Sequence, residues 1–512
     1  MLIATVCVYM LITIGIGLIA ALRVKGAKDF MVAGRSLPLY MNFACVFATW
    51  FGAETLLSIS AVFTRDGLEG ISGDPFGAAV CLTLVGLFFA KAFYRMDLLT
   101  IGDFYHKRYG KFVEIVTSVM ITISYLGWTS AQMTALGLVI YALGNSGLPA
   151  EQVLNDPSIA LNTAILLGAF IVTFYTFFGG MWSVALTDLI QTAVIFVGLL
   201  IVATVMGGQA GGAGKVISHA YESGKFQFFP TMTGDGAFAA WMTFIGAFVT
   251  FALGSIPQQD VFQRVTSAKD EKTAVRGTLF GGAAYFVCAF IPMYIAYSAL
   301  LIAPETYQPL FVQEDERLIQ RILPDLILNR APLPVQILFF GALLSAILST
   351  ASGTLLAPSS LFTENVLQPI FKMKDRAMLY TLRVILVCFS AMATAFALQS
   401  QSTMYEMVQN AYKVTLVAAF TPLAAGVFWK RSSTQGAIVS IVCGIGVWLL
   451  CEYWQPGENE TATMFQDIPP QLFGLLASIM GMVVGTLVPQ VIAQAKFDPR
   501  TLEDKPRVST GH

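Results

Sequence analysis

Histidine is nearly missing from this chain, with three in 512 residues. That scarcity argues against a histidine-ligated metal enzyme. Charge is also sparse: only 12% of residues are Asp, Glu, Lys or Arg, about half the share of an ordinary soluble domain. The net charge of −1 removes the basic excess that nucleic-acid binding needs. The seven cysteines have no paired spacing for a disulfide frame or a metal knuckle, and several lie inside apolar runs. A long polar segment is absent too. The tail after Val491 is about twenty polar residues, too short for an attached kinase or binding domain.

What is abundant is apolar side chain, 56% of the total. No water-soluble core could hide that fraction, so the solvent must be lipid. Thirteen apolar runs approach the roughly 20 residues a bilayer needs. They cover about 2–22, 37–60, 74–95, 112–143, 160–178, 182–206, 236–257, 274–302, 333–367, 378–399, 403–429, 433–453 and 470–493. The first has no basic stretch before it and ends at Arg23, Lys25 and Lys28, so it reads as a retained span rather than a signal peptide. With the N-terminus outside, 23 of the 30 Lys and Arg fall on the inner side, six outside, and Lys413 within a span. That asymmetry is the positive-inside pattern. The inner clusters include Arg264 to Arg276 and the tail from Lys496.

Two spans read as interrupted. "FATWFGAETLLS" carries Gly52 and Glu54 in the second, and "FALGSIPQQDVFQR" carries Gly254, Pro257, Gln258 and Gln259 in the seventh. Broken helices five spans apart point to a transporter site between inverted repeats. Unwound backbone at membrane depth is tolerated where it lines a cavity; two kinks buried by neighbours are the plainer reading. The ninth span carries "SAILSTASG", with hydroxyls at Ser345, Ser349, Thr350 and Ser352. Hydroxyls in membrane helices often bond back to their own helix. Here they also offer the neutral oxygens that a hard monovalent cation prefers. A hydroxyl pair facing the carbonyls freed at residues 48–52 would complete such a cage.

"FYTFFGGMWSVALTDLIQ", "IPQQDVFQRVTSAKDEKTAVRG" and "GALLSAILSTASGTLLAPSSLFTEN" resemble the sodium/solute symporter family over roughly residues 25–430. The choline and proline carrier branches are the nearest in pattern. The resemblance implies an all-α membrane protein of the leucine-transporter type. It implies an extra N-terminal helix (1–30), a first five-helix repeat (31–210), an inverted second repeat (211–430), two C-terminal helices (431–495) and a short cytoplasmic tail (496–512). It implies a sodium-binding set of Ala48, Phe51 and Ala346, through carbonyls, with the Ser349 and Thr350 hydroxyls. Asp188 and Ser352 match positions of a second cation or coupling role, but Gly353 stands where members with two sodium ions place a further hydroxyl. A bacterial cytoplasmic membrane, N-terminus outside and C-terminus inside, is the expected location.

The resulting expectation is a sodium-coupled symporter, not an enzyme, taking up a small polar solute (an amino acid, a carboxylate or similar) by alternating access. Its partners are that solute and the lipid. Trp50, Glu54, Gln132, Gln258, Gln259 and Lys413 are the candidate lining residues. Trp50 serves equally as core or as a cation-binding aromatic, and Gln132 as glue between helices. Asp188 also reads as an interfacial acid capping a helix start near Ser183. Lys413 has two readings. In a helix starting at Thr403 it lies about 15 Å deep and would meet a substrate carboxylate; in a helix starting at Lys413 it is an interfacial anchor. The choline branch has an acid at this position, so the inverted charge argues against a quaternary cation. Three alternatives stand beside symport with sodium. They are a proton-coupled carrier using Asp188 or Glu54, a transporter-like sensor with a separate partner, and a polytopic enzyme. The last would need a catalytic cluster at one face, and "GDFYHKRYG" (102–110) reads only as a connecting loop.

Overall fold

The computed structural model describes residues 1–21, 26–145, 159–230, 236–312, 316–455, 465–495 and 497. The expected tail from Lys496 lies outside them apart from Phe497. Helix dominates because lipid offers no partner for a backbone N–H or C=O, so each span must satisfy its own. Among the described residues eleven helices are long and apolar enough to cross a bilayer, or twelve with the pair Leu39–Trp50 and Glu54–Asp66, bent by 54°, taken as one span. A shorter apolar helix, Leu161–Phe174, lies in the expected fifth run, and the chain is an integral, multi-pass membrane protein.

The fifth and sixth spans form one continuous element, Leu161–Gln209, turned at Gly180 (φ 63°). A β-carbon there would lie 2.7 Å from the Phe30 ring, so both the conformation and the space require glycine. The seventh span does not end near residue 257. Its first half is Ala237–Gly254, and a second half, Gln259–Thr266, follows the break. Arg264, counted above among the inner-loop bases, therefore lies within that second half and is only 2% exposed. "GDFYHKRYG" is not a loop but most of a short helix, Ile101–Tyr109. Thr100 and Asp103 cap it reciprocally, which fixes its start.

The sixth and ninth spans pack along each other, as do the fourth and eleventh, the second and eighth, and the paired twelfth and thirteenth. Both interrupted helices are enclosed by these neighbours. A short parallel bridge ties the chain just before the second span to the chain just after the seventh. In it Leu37 N–H donates to Ser267 O (3.0 Å) and Lys269 N–H to Leu37 O (2.9 Å).

Candidate functional site

The first half of the second span ends at Trp50, and Phe51 leaves helical conformation (φ −86°, ψ 69°). The ninth span, Leu333–Phe362, crosses beside this break. The four hydroxyls of its "SAILSTASG" stretch divide into two pairs. Ser345 donates back to Gly341 O (2.6 Å) and Ser352 back to Ser349 O (2.9 Å). Those two spend their protons on their own helix.

Ser349 and Thr350 cross to the neighbour. The Thr350 hydroxyl lies 3.2 Å from Ala48 O and 3.3 Å from Thr49 O; the Ser349 hydroxyl is 3.3 Å from Ala48 O. Ser349 also donates to Asp188 Oδ1 at 2.5 Å. Ala346, on the same span, and Phe51 are fully buried beside them. Asp188 is 0% exposed, deep in the Gly180–Gln209 span, and so is not an acid at a helix start. A β-carbon at Gly52 would fall 2.8 Å from Thr350 Oγ1 and 2.4 Å from Glu54 Oε2. Glycine there lets the break approach both groups. Buried hydroxyls and carbonyls converging beside one carboxylate are a donor set that suits sodium.

Glu54 stands just past the same break, 3% exposed. It accepts from Trp128 Nε1 (3.1 Å) and Gln132 Nε2 (2.7 Å). Gln132 also accepts from the Ala53 N–H at 3.4 Å. The amide thus satisfies the interrupted backbone and holds the acid, a more specific task than helix glue. Trp50 faces three rings, Trp128, Tyr285 and Tyr412, with centroids 6.2–6.3 Å away. Trp128 and Tyr412 are 5.6 Å apart, so Trp50 packs among three other rings, one of which, Trp128, reaches Glu54; this cluster is termed the aromatic box. Tyr285 donates to Asp74, which is buried.

The second break is plugged by protein groups. Thr415 donates to Gly254 O (2.6 Å), and Gln258 donates to Ser124 (3.1 Å) and Thr415 (3.3 Å). Gln259 points elsewhere, accepting from Ile101 N–H at 2.8 Å. Asp260 is fully buried and bonded by Tyr125 through both its carboxylate and its N–H. Lys413 stands apart from the box. Its helix, Met404–Thr415, starts behind a Thr403 cap, as the deep reading required. Yet its side chain is half-buried, and the charges acting on it are Glu452 on the twelfth span and Glu406 on its own helix.

Sequence reading missed Asp74, Asp260, Arg264, Tyr285 and Tyr412. Asp74 and Asp260 each sit beside a helix interruption, in "SGDPFG" and "IPQQD". A buried acid next to a break was the available signal. Arg264 was masked by its place in a basic run.

A cavity of about 390 Å³ lies on the face reached by Asp66, lined by Asp66, Glu69, Ser72, Phe244, Tyr405 and Gln409. The aromatic box lies behind its Tyr405 wall. Tyr405 stacks on Phe251 (5.4 Å), which packs edge-on against Tyr412 (5.3 Å).

Known proteins agree with this architecture. A solved sodium-coupled sialic acid symporter superposes with a TM-score of 0.75 at 18% identity, covering 97% of this chain and 98% of that one. The nucleobase-cation-symport transporter Mhp1 follows at 0.56 and 14%, covering 93% and 98%. Among curated proteins, the human high affinity choline transporter 1 is 27% identical over 87% of this chain and 75% of its own. The osmoregulated proline transporter OpuE of Bacillus subtilis is 23% identical over 92% of each. The family model of the sodium:solute symporters matches residues 30–444, and the chain belongs to that family.

Proposed function

We propose that this sodium-coupled symporter holds its ion between the Ala48, Phe51 and Ala346 carbonyls and the Ser349 and Thr350 hydroxyls, with Asp188 supplying the nearby negative charge. The observation that carries this is the crossing of the Ser349 and Thr350 hydroxyls to the carbonyls of the first break. When the ion is bound, it supplies the positive charge that ties the second span to the ninth. The chain's own part is to hold both spans in register, through Gly52 and the Gln132 brace. The drive is adequate: about 2.3 kcal/mol per charge at 100 mV and about 1.4 kcal/mol per tenfold sodium gradient. We read residues 31–210 and 211–430 as the two inverted repeats. The basic asymmetry supports an orientation with the N-terminus outside, and we place the chain in a bacterial cytoplasmic membrane.

The solute, in our reading, is a small organic cation of the quaternary-ammonium kind. An aromatic cluster with a buried carboxylate beside one of its rings is chemistry that can recognise such a group. Lys413 had argued the other way, but it is half-buried and, among the described residues, makes no ring contact with the cluster. The choline transporters among the relatives are consistent with this. The test is uptake of labelled choline into proteoliposomes, with and without an inward sodium gradient, against competing betaine, proline and a neutral polyol. Gradient-dependent uptake blocked by quaternary amines is expected. Uptake blocked by proline or the polyol and not by quaternary amines would overturn the cation reading.

A further inference from the structure

We infer that Asp74 is a positioning residue of the solute site: it takes the hydrogen bond of Tyr285, fixes that ring against Trp50, and so biases the aromatic box toward a cation over an uncharged solute of the same shape. The inference rests on the cationic reading proposed above, to which it adds a second carboxylate. Asp74 lies in the third span, Glu69–Arg95, where its backbone leaves helical conformation (φ −135°, ψ 121°). Its side chain is buried. A carboxylate inside a span is costly unless it is compensated. Among the described residues no Lys, Arg or His pairs with Asp74. Its partner is instead the hydroxyl of Tyr285, a fully buried residue of the eighth span, which donates to Oδ1.

A phenol has one proton to give, and here it goes to Asp74. Thr55 Oγ1 lies 3.4 Å from the Tyr285 oxygen and is therefore the donor at that contact. It shares its proton with Trp50 O at 3.3 Å. A chain of hydrogen bonds thus runs from Asp74 through Tyr285 and Thr55 to a carbonyl at the first break. The Tyr285 ring stands edge-on to Trp50 (6.2 Å) and to Phe51 (6.4 Å). Asp74 is held from its other side by the seventh span. Ser72 donates to Phe244 O (3.3 Å). A β-carbon on Gly73 would fall 2.5 Å from the Phe251 ring, and one on Gly77 2.7 Å from Phe248 O. Glycine at both places lets the interruption press against that span. A hydroxyl that donates to a carboxylate leaves its oxygen and ring richer in electrons, and a cation is drawn to an electron-rich ring face. A neutral solute gains nothing from it. Glu54 bears on Trp50 through Trp128, and Asp74 bears on it through Tyr285.

The experiment is equilibrium binding of labelled choline to the purified full chain in nanodiscs at saturating sodium. The competitor is the carbon analogue of choline, in which a neutral quaternary carbon replaces the nitrogen. The wild type should prefer choline. Asp74→Asn should weaken choline about tenfold, the scale of a charge-assisted contact, and leave the analogue's affinity as it was. Tyr285→Phe removes the same hydrogen bond and should lower the preference equally, and the double variant should lose no more than Tyr285→Phe alone. Losses that add in the double variant would mean that Asp74 acts on its own, which overturns the positioning role. No loss in Asp74→Asn, or equal losses for choline and its analogue, would overturn it as well. A wild type that does not prefer choline overturns the cationic reading itself. Should Asp74→Asn not fold, Tyr285→Phe decides, and an undiminished preference in that variant overturns the inference.

Discussion

The two broken helices look alike in sequence and differ in what meets their freed backbone. At the first break, carbonyls of Ala48 and Thr49 face hydroxyls from another span, next to a carboxylate. At the second, Gly254 O is closed off by Thr415, and Gln258 is spent on Ser124 and Thr415. Broken backbone alone therefore does not leave oxygens free for an ion. What distinguishes the first is a set of neutral oxygens left pointing at one another with a negative charge beside them. The second break is filled with protein groups, and the helix that follows it carries two buried charged residues, Asp260 and Arg264.

The largest effect should come from removing the crossing hydroxyls. Ser349→Ala or Thr350→Ala should raise the sodium concentration for half-maximal uptake about tenfold or more, the equivalent of roughly 1–3 kcal/mol for a lost buried contact. An unchanged sodium dependence in both variants would erase the distinction between the breaks. Next in size is Glu54→Gln. It keeps the shape beside Trp128 and Gln132 but removes the negative charge from the aromatic box. Apparent affinity for a cationic solute should fall about tenfold, the scale of a charge-assisted contact, while sodium binding measured without solute stays as it was. A drop in sodium affinity of the same size would assign Glu54 to the ion instead.

Thr415→Ala makes the complementary test at the second break. It frees Gly254 O and loosens Gln258, so thermal stability should fall by about 1 kcal/mol, with the sodium dependence of uptake unmoved. A sodium shift as large as that of Thr350→Ala would mean that both breaks hold ions.

The spans were legible because lipid imposes length and apolarity on every crossing, and both interruptions were legible because Gly, Pro and polar side chains stand out against that background. Ser349 and Thr350 were found through their motif, and their hydroxyls do cross to the first break. Periodicity alone could not separate them from Ser345 and Ser352, which bond back to their own helix. Which hydroxyl crosses depends on the rotation of the ninth span against the second, a tertiary quantity. Arg264 illustrates the opposite failure. Counting bases by loop assigned it to the inner surface, but the helix resumes after Pro257 and carries it inward. The aromatic box was invisible for a related reason: Trp50, Trp128, Tyr285 and Tyr412 come from four different spans.

The smallest effect is expected at Lys413, where depth and direction part company. The helix begins where the deep reading needed it to, behind the Thr403 cap. Depth alone would make a base there a partner for a substrate carboxylate. Direction decides otherwise: Tyr412 packs on Trp50, and Lys413, one residue on, is turned about 100° around the helix, away from that face. Lys413→Gln should therefore leave the affinity for a cationic solute and for sodium within about twofold, and stability within about 0.5 kcal/mol, as for substitutions away from a packed core. The measurement is competition uptake in proteoliposomes beside a thermal melt of the purified variant. If affinity for a carboxylate-bearing solute collapses in Lys413→Gln, the lysine reaches the substrate during the cycle, and the box of rings beside Glu54 is not the whole of the recognition site.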